Sequence, residues 1–211
     1  MARRVIVWAC LCLWSSWATA SVCVEAARLA AHKYSVPEDV LIAITLTETG
    51  RGHGENLRPW PWAVNAFGAG EWHADKRSAL EGVKRALARG NTNVDVGCFQ
   101  LNYRWHGAGF DTLADMIAPQ RNADYAAQFL KRLYWETGSW REAAGHYHSR
   151  TPRHRDRYLA RFDAMRIAGA ALHNTLPPPL PGQAGSIRWI SLGDPDQNLL
   201  RRAEPLFGAA E

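Results

Sequence analysis

The chain has 211 residues with 25 basic and 20 acidic side chains, room for one core and a tail. Its formal charge of +5 suits contact with an anionic polymer such as a cell wall without demanding one. Four cysteines are too few for a disulfide scaffold, and no segment beyond the N-terminal apolar run could cross a bilayer.

Arg3 and Arg4 precede an apolar run from Val5 to Trp17, which ends in the small residues Ala18-Thr19-Ala20. This is the layout of a secretory signal peptide over residues 1–20, with cleavage expected before Ser21. The run is short for a membrane span, and an uncleaved anchor is the alternative. Ala20-Ser21-Val22 before Cys23 is a poor lipidation signal. Loss of Arg3 and Arg4 with the leader would lower the charge to +3. Cys10 and Cys12 would leave too, so Cys23 and Cys98 remain. An even pair in an exported chain is most simply a disulfide; closing a loop of about 75 residues would contribute roughly 4 kcal/mol. Neither cysteine has metal-ligand spacing.

The remainder predicts helix after helix, with no convincing alternating strand. Val22–Tyr34 carries apolar residues at helical spacing. Ser35-Val36-Pro37-Glu38 matches a capping box and opens a helix that ends at Glu48, before Gly50. Pro37, Leu41, Ile44 and Glu48 fall along one stripe of it, which Leu41 and Ile44 mark as buried. An acid at the end of such a stripe is partly desolvated and holds its proton more tightly, as a general acid requires. The alternative is a helix-terminal Glu leaning out to solvent.

Arg51 to Trp72 is loop-like, rich in glycine, proline and tryptophan. Trp60, Trp62 and Trp72 offer indole faces on which sugar rings pack, or they staple a long loop to the core. Asp75 caps a helix through Leu87 that closes at Gly90. Gly97-Cys98-Phe99-Gln100-Leu101-Asn102 follows a polar turn. If it is extended, Gln100 and Asn102 face one side as neutral amides suited to hydroxyl and N-acetyl groups; alternatively it is a polar turn with no ligand.

A short helix at 111–117 precedes Pro119, where an amphipathic helix begins and runs to Thr137, stopped by Gly138. Ser139-Trp140-Arg141-Glu142 is a second capping box, opening a helix through Tyr147. Thr151-Pro152 starts the last helix, with Tyr158, Phe162 and Met165 inward. His146 and His148, two apart on a helix, point away from each other, which argues against a metal site. Arg150, Arg153, His154, Arg155, Arg157 and Arg161 crowd into twelve residues. A solvated helix face accounts for them; export and the lack of a recognition motif argue against nucleic acid. From 173 onward a run of prolines and a sparse apolar content predict an extended linker and flexible tail, with one island at Ile187-Arg188-Trp189-Ile190.

Three motifs occur in a fixed order: Glu48-Thr49-Gly50 at a helix end, Gly97-Cys98-Phe99-Gln100-Leu101-Asn102, and Ala143-Ala144-Gly145-His146-Tyr147-His148. Together they resemble the soluble lytic transglycosylase catalytic domain, whose members show Glu-Ser, Gly-Leu-Met-Gln-Ile-Asn and Ala-Tyr-Asn-Ala-Gly. The resemblance spans roughly Val22–Ala168. Pro59-Trp60-Pro61-Trp62-Ala63-Val64-Asn65 is similar to the subset tied to secretion, conjugation or flagellar machinery.

The resemblance implies a mainly α, goose-type lysozyme-like domain over 21–172, acting on peptidoglycan glycan strands without a cofactor, and the leader predicts that it works in the periplasm. It implies Glu48 as the acid/base, with Gln100, Asn102, Phe99, Tyr147, Asn65 and Trp62 lining the cleft. It further suggests that residues 173–211 engage an envelope-spanning apparatus. Thr49 stands for the usual Ser and keeps its hydroxyl, whereas His148-Ser149 replaces Asn-Ala. Glu55, Glu71 and Asp95 lie near the motifs in sequence; one of them facing Glu48 would favour a hydrolase. A wall-binding subunit without catalysis is the remaining alternative.

Overall fold

The computed structural model describes residues 15–53 and 57–175. Among them are eight helices: α1 (Ser15–Tyr34), α2 (Glu38–Thr49), α3 (Lys76–Ala88), α4 (Tyr103–His106), α5 (Leu113–Met116), α6 (Pro119–Thr137), α7 (Trp140–His148) and α8 (Pro152–Thr175). The expected mainly α class therefore holds. The helices form where periodicity and caps agree. Asp75 accepts a hydrogen bond from the Ser78 amide at 2.8 Å to start α3. Pro119 occupies the first turn of α6, and Gly138 ends that helix in the left-handed conformation (φ +70°). The Ser139 side chain accepts from the Glu142 amide to start α7.

The capping box expected at Ser35 does not form. The α2 N-terminus has Pro37 as its cap and no side-chain bond. Glu38 instead accepts from Arg28 Nε at 2.8 Å. Arg28 is only 4 % exposed, and leaving a buried guanidinium without its carboxylate costs more than one cap contributes.

α2 is the central helix, packed against α1, α7 and α8. Every residue from Val40 to Thr47 on it is buried, so it has no single buried stripe. Glu48 is partly buried because it lies at the end of a helix surrounded on all sides, which corrects the reasoning from one stripe. Lys33 donates to Asp124 at 2.7 Å between α1 and α6, and Arg166 pairs with Asp39 between α8 and α2.

The segment expected to be a loop contains strands. β1 (Gly50–Arg51) pairs antiparallel with β2 (Arg58–Pro59). β3 (Ala63–Ala66), β4 (Ala69–Trp72), β5 (Val94–Val96) and β6 (Leu101–Asn102) form an antiparallel sheet in the order β4-β3-β5-β6. At two to four residues, these strands are too short for alternation to register. The β3–β4 turn is Phe67-Gly68, both left-handed (φ +58° and +77°), a conformation that usually selects Asn-Gly rather than Phe. α8 continues to Thr175, three residues past the expected domain end. The first fourteen leader residues, Glu55 and the tail beyond Thr175 lie outside the described residues.

Candidate active site

The site is built where α2, the β5–β6 hairpin and α7 converge. Val96 pairs with Leu101, so Gly97-Cys98-Phe99-Gln100 is the hairpin turn. Its ends are left-handed, Gly97 at φ +79° and Gln100 at +44°. A Cβ on Gly97 would approach the Asn122 side chain to 3.1 Å, so both space and backbone call for glycine. Asn122, fully buried on α6, accepts from the Phe99 amide at 2.9 Å and donates to the Val96 and Met116 carbonyls at 3.1 and 2.8 Å. Thr45 on α2 donates to the Cys98 carbonyl at 2.8 Å. The Tyr147 hydroxyl donates to the Phe99 carbonyl at 2.8 Å. Cys23 and Cys98 form a disulfide with Cα atoms 5.6 Å apart, tying the turn to α1.

Glu48 is the next-to-last residue of α2, at the end of the helix that enters this junction. Burial raises its pKa from 4.5 to about 7; the nearby Tyr158 hydroxyl opposes the shift, the Asp95 charge adds to it, and the Arg161 charge opposes it. Tyr158, 7 % exposed on α8, faces the carboxyl without completing hydrogen-bond geometry to it. His148 stacks on the Tyr158 ring at 4.5 Å. The hydroxyls of Tyr147 and Tyr158 are both held well above the usual phenol range, first by burial and then by the Glu48 charge. At neutral pH both phenols are therefore donors.

Of the two described carboxylates near the motifs, Glu71 and Asp95, Asp95 is the one whose charge reaches Glu48. Asn65, Asp95 and Asn102 are cross-strand partners on β3, β5 and β6. Asn65 Nδ2 donates to Asp95 Oδ2 at 3.1 Å, and Asn102 Nδ2 donates to Asp95 Oδ1 at 2.7 Å. These bonds favour the ionised form, although burial pushes the Asp95 pKa above its ordinary value. Glu71 is directed to His73, 3.2 Å away.

Other expected site residues take different places. Gln100 is not extended beside Asn102: its amide nitrogen is spent on the Ala63 and Gly97 carbonyls at 3.2 and 3.1 Å. Asn102 also caps α4 through the Arg104 amide. The Phe99 side chain is fully buried in the core, and its backbone carbonyl is the part that serves the site. Trp62 packs half-buried against the core, as a staple would. Trp60 Nε1 donates to the His73 carbonyl at 2.8 Å, while the Arg51 guanidinium lies over the Trp60 and Trp72 rings. Thr49 bridges the junction, donating toward the Thr45 and Cys98 carbonyls and accepting from the Trp60 amide.

A row of half-buried rings continues from Tyr147. Phe129 lies 5.4 Å from it, His106 4.9 Å from Phe129, and Tyr125 bonds His106 Nδ1 at 3.1 Å. Phe110 follows, 4.9 Å from Tyr125. Burial, with the Arg132 charge, lowers the His106 pKa to about 4, so this ring is neutral in the row. Among the described residues no three His, Cys, Asp or Glu side chains converge to hold a metal ion.

Tyr158, Asp95 and Asn122 carry the site and are weakly marked in sequence. Asn122 could have been found, because it is a polar residue on the apolar face of α6. Tyr158 gave the matching signal, an inward phenol, without indicating what it faces. Comparisons with family models, curated proteins and solved structures found no match to this chain.

Proposed function

We propose that the chain is a peptidoglycan lytic transglycosylase that breaks the bond from N-acetylmuramic acid to N-acetylglucosamine, with Glu48 as its single general acid and base. The observation that carries this reading is the Glu48 carboxyl, which burial keeps protonated up to about pH 7 among donor phenols. Such a carboxyl can give its proton to a glycosidic oxygen at neutral pH. The bond to the departing sugar breaks, and the remaining ring passes through an oxocarbenium-like state assisted by its own N-acetyl carbonyl. Glu48, now a carboxylate, removes the proton of the C6 hydroxyl, whose oxygen closes a 1,6-anhydro ring. The proton is returned to Glu48 and no water is consumed.

Asp95 supports the same chemistry as a fixed negative charge near the developing positive one. The lysozyme-like arrangement, the periplasmic address and the role of residues 173–211 at an envelope apparatus belong to this proposal. They rest on the motif resemblance and, for the address, on the leader read over residues 1–20. A hydrolase is the second reading, favoured by the charge of Asp95 acting on Glu48. Two amides bonded to its oxygens leave Asp95 less free to activate water.

Digesting purified sacculi and weighing the products separates these readings. The proposal expects muropeptides one water lighter than reducing-end products, and none from Glu48→Gln. Reducing-end products would overturn it in favour of hydrolysis. Sacculi retained by both proteins without any product would make the chain a wall binder.

A further inference from the structure

α8 carries more positive charge than its surroundings neutralise. Asp156 pairs with Arg155 at 2.9 Å, Asp163 with Arg141 at 2.8 Å and Glu136 with Arg150 at 2.5 Å. That leaves Arg153, Arg157 and Arg161, all exposed and without an ion pair among the described residues. Spaced four apart, they follow one stripe of the helix. Like charges at that spacing weaken a helix, and the first turn of α8 has no acid to offset them.

The stripe leads to the candidate site. Tyr158, next to Arg157 and three residues before Arg161, is turned inward with its buried hydroxyl unpartnered. His148 closes over its ring. Arg161, one turn on from Tyr158, is the member of the stripe whose charge acts on Glu48.

We propose that Arg161, backed by Arg157, is a specificity-determining residue that binds a carboxylate of the peptide stem carried by the glycan strand. The inference rests on the wall-cleaving reading above. Where stems are attached, the sugar backbone offers only neutral hydroxyl, N-acetyl and lactyl-amide groups, and the carboxylates of the polymer are on its stems. A planar guanidinium matches a carboxylate with two parallel hydrogen bonds, and it does so best where no protein acid already occupies it. A stem held there would bring its sugar to the Glu48 carboxyl and fix which linkage is presented.

The test compares strands with free stem carboxylates with the same strands whose stem carboxylates have been converted to methylamides, cleaved by the full chain and by Arg161→Gln. It is run at about pH 5.5, where Glu48 is protonated with or without Arg161. On strands with free stem carboxylates the variant is expected to raise KM about tenfold with kcat little changed. On amidated strands wild type and variant should be alike, and on strands with free carboxylates Arg161→Lys should recover part of the loss. An equal change on both strands, or no change on either, overturns the assignment. Retention of both strand types on immobilised Glu48→Gln protein, with and without Arg161→Gln, reads the same contact independently of turnover. Wild-type protein cleaving neither strand would defeat the wall-cleaving reading, while loss of carboxylate-dependent retention would still identify Arg161. Retention indifferent to the stem carboxylates would defeat the arginine assignment alone.

Discussion

Glu48 feels a negative charge from Asp95 on β5 and a positive one from Arg161 on α8, so each neighbour moves its proton in a known direction. Activity that needs the protonated carboxyl should fall as pH rises through about 7. Asp95→Asn removes the charge that raises the Glu48 pKa, and the alkaline limb of kcat/KM should move to lower pH. Tyr158→Phe removes a group that lowers it, and the limb should move to higher pH. Shifts of the same sign in both variants would contradict this electrostatic picture. Glu48→Gln should cut turnover by at least about 100-fold while sacculus binding persists, because the amide keeps the shape and loses the proton. Glu48 itself was legible in the sequence as an acid ending an apolar helix. Its opposing charges were not, because Asp95 and Arg161 reach it only through tertiary packing.

The β5–β6 hairpin positions the site without supplying its acid. Its turn depends on one buried amide, since Asn122 satisfies the Phe99 amide and two carbonyls. Asn122→Ala would strand those groups and should lower stability by about 1–3 kcal/mol in urea unfolding. Activity should fall with it, because Tyr147 is anchored on the same turn. The α6 boundaries at Pro119 and Thr137 were readable from a proline, a glycine and apolar spacing. The strands were not: β6 is two residues long, and its pairing is set by the left-handed turn at Gly97 and Gln100. For the same reason Gln100, read as a ligand-facing amide, proved to be a brace for the turn.

For the whole molecule, the disulfide and Glu48 make two separable contributions to stability. The pairing of Cys23 with Cys98 was legible from cysteine counting, and the fold brings them together across 75 residues. Cys98→Ser should cost about 2–4 kcal/mol, read as a lower urea midpoint. Glu48 acts with the opposite sense. Its folded pKa is raised, so its full contribution to stability is present below about 4.5 and is lost as pH rises through about 7. Relative to Glu48→Gln, the wild type should therefore lose on the order of 2 kcal/mol between about pH 5 and about pH 8. A stability difference independent of pH would contradict the shift. The sequence could place an acid near a core; it could not say that α2 would be buried on every side, which makes the shift large. The most direct measurement is a carbon-13 NMR titration of the Glu48 carboxyl, assigned by its disappearance in Glu48→Gln. A midpoint near 7 is the result expected. A midpoint near 4.5, the value of an ordinary exposed Glu, would remove the neutral acid on which the proposed chemistry depends.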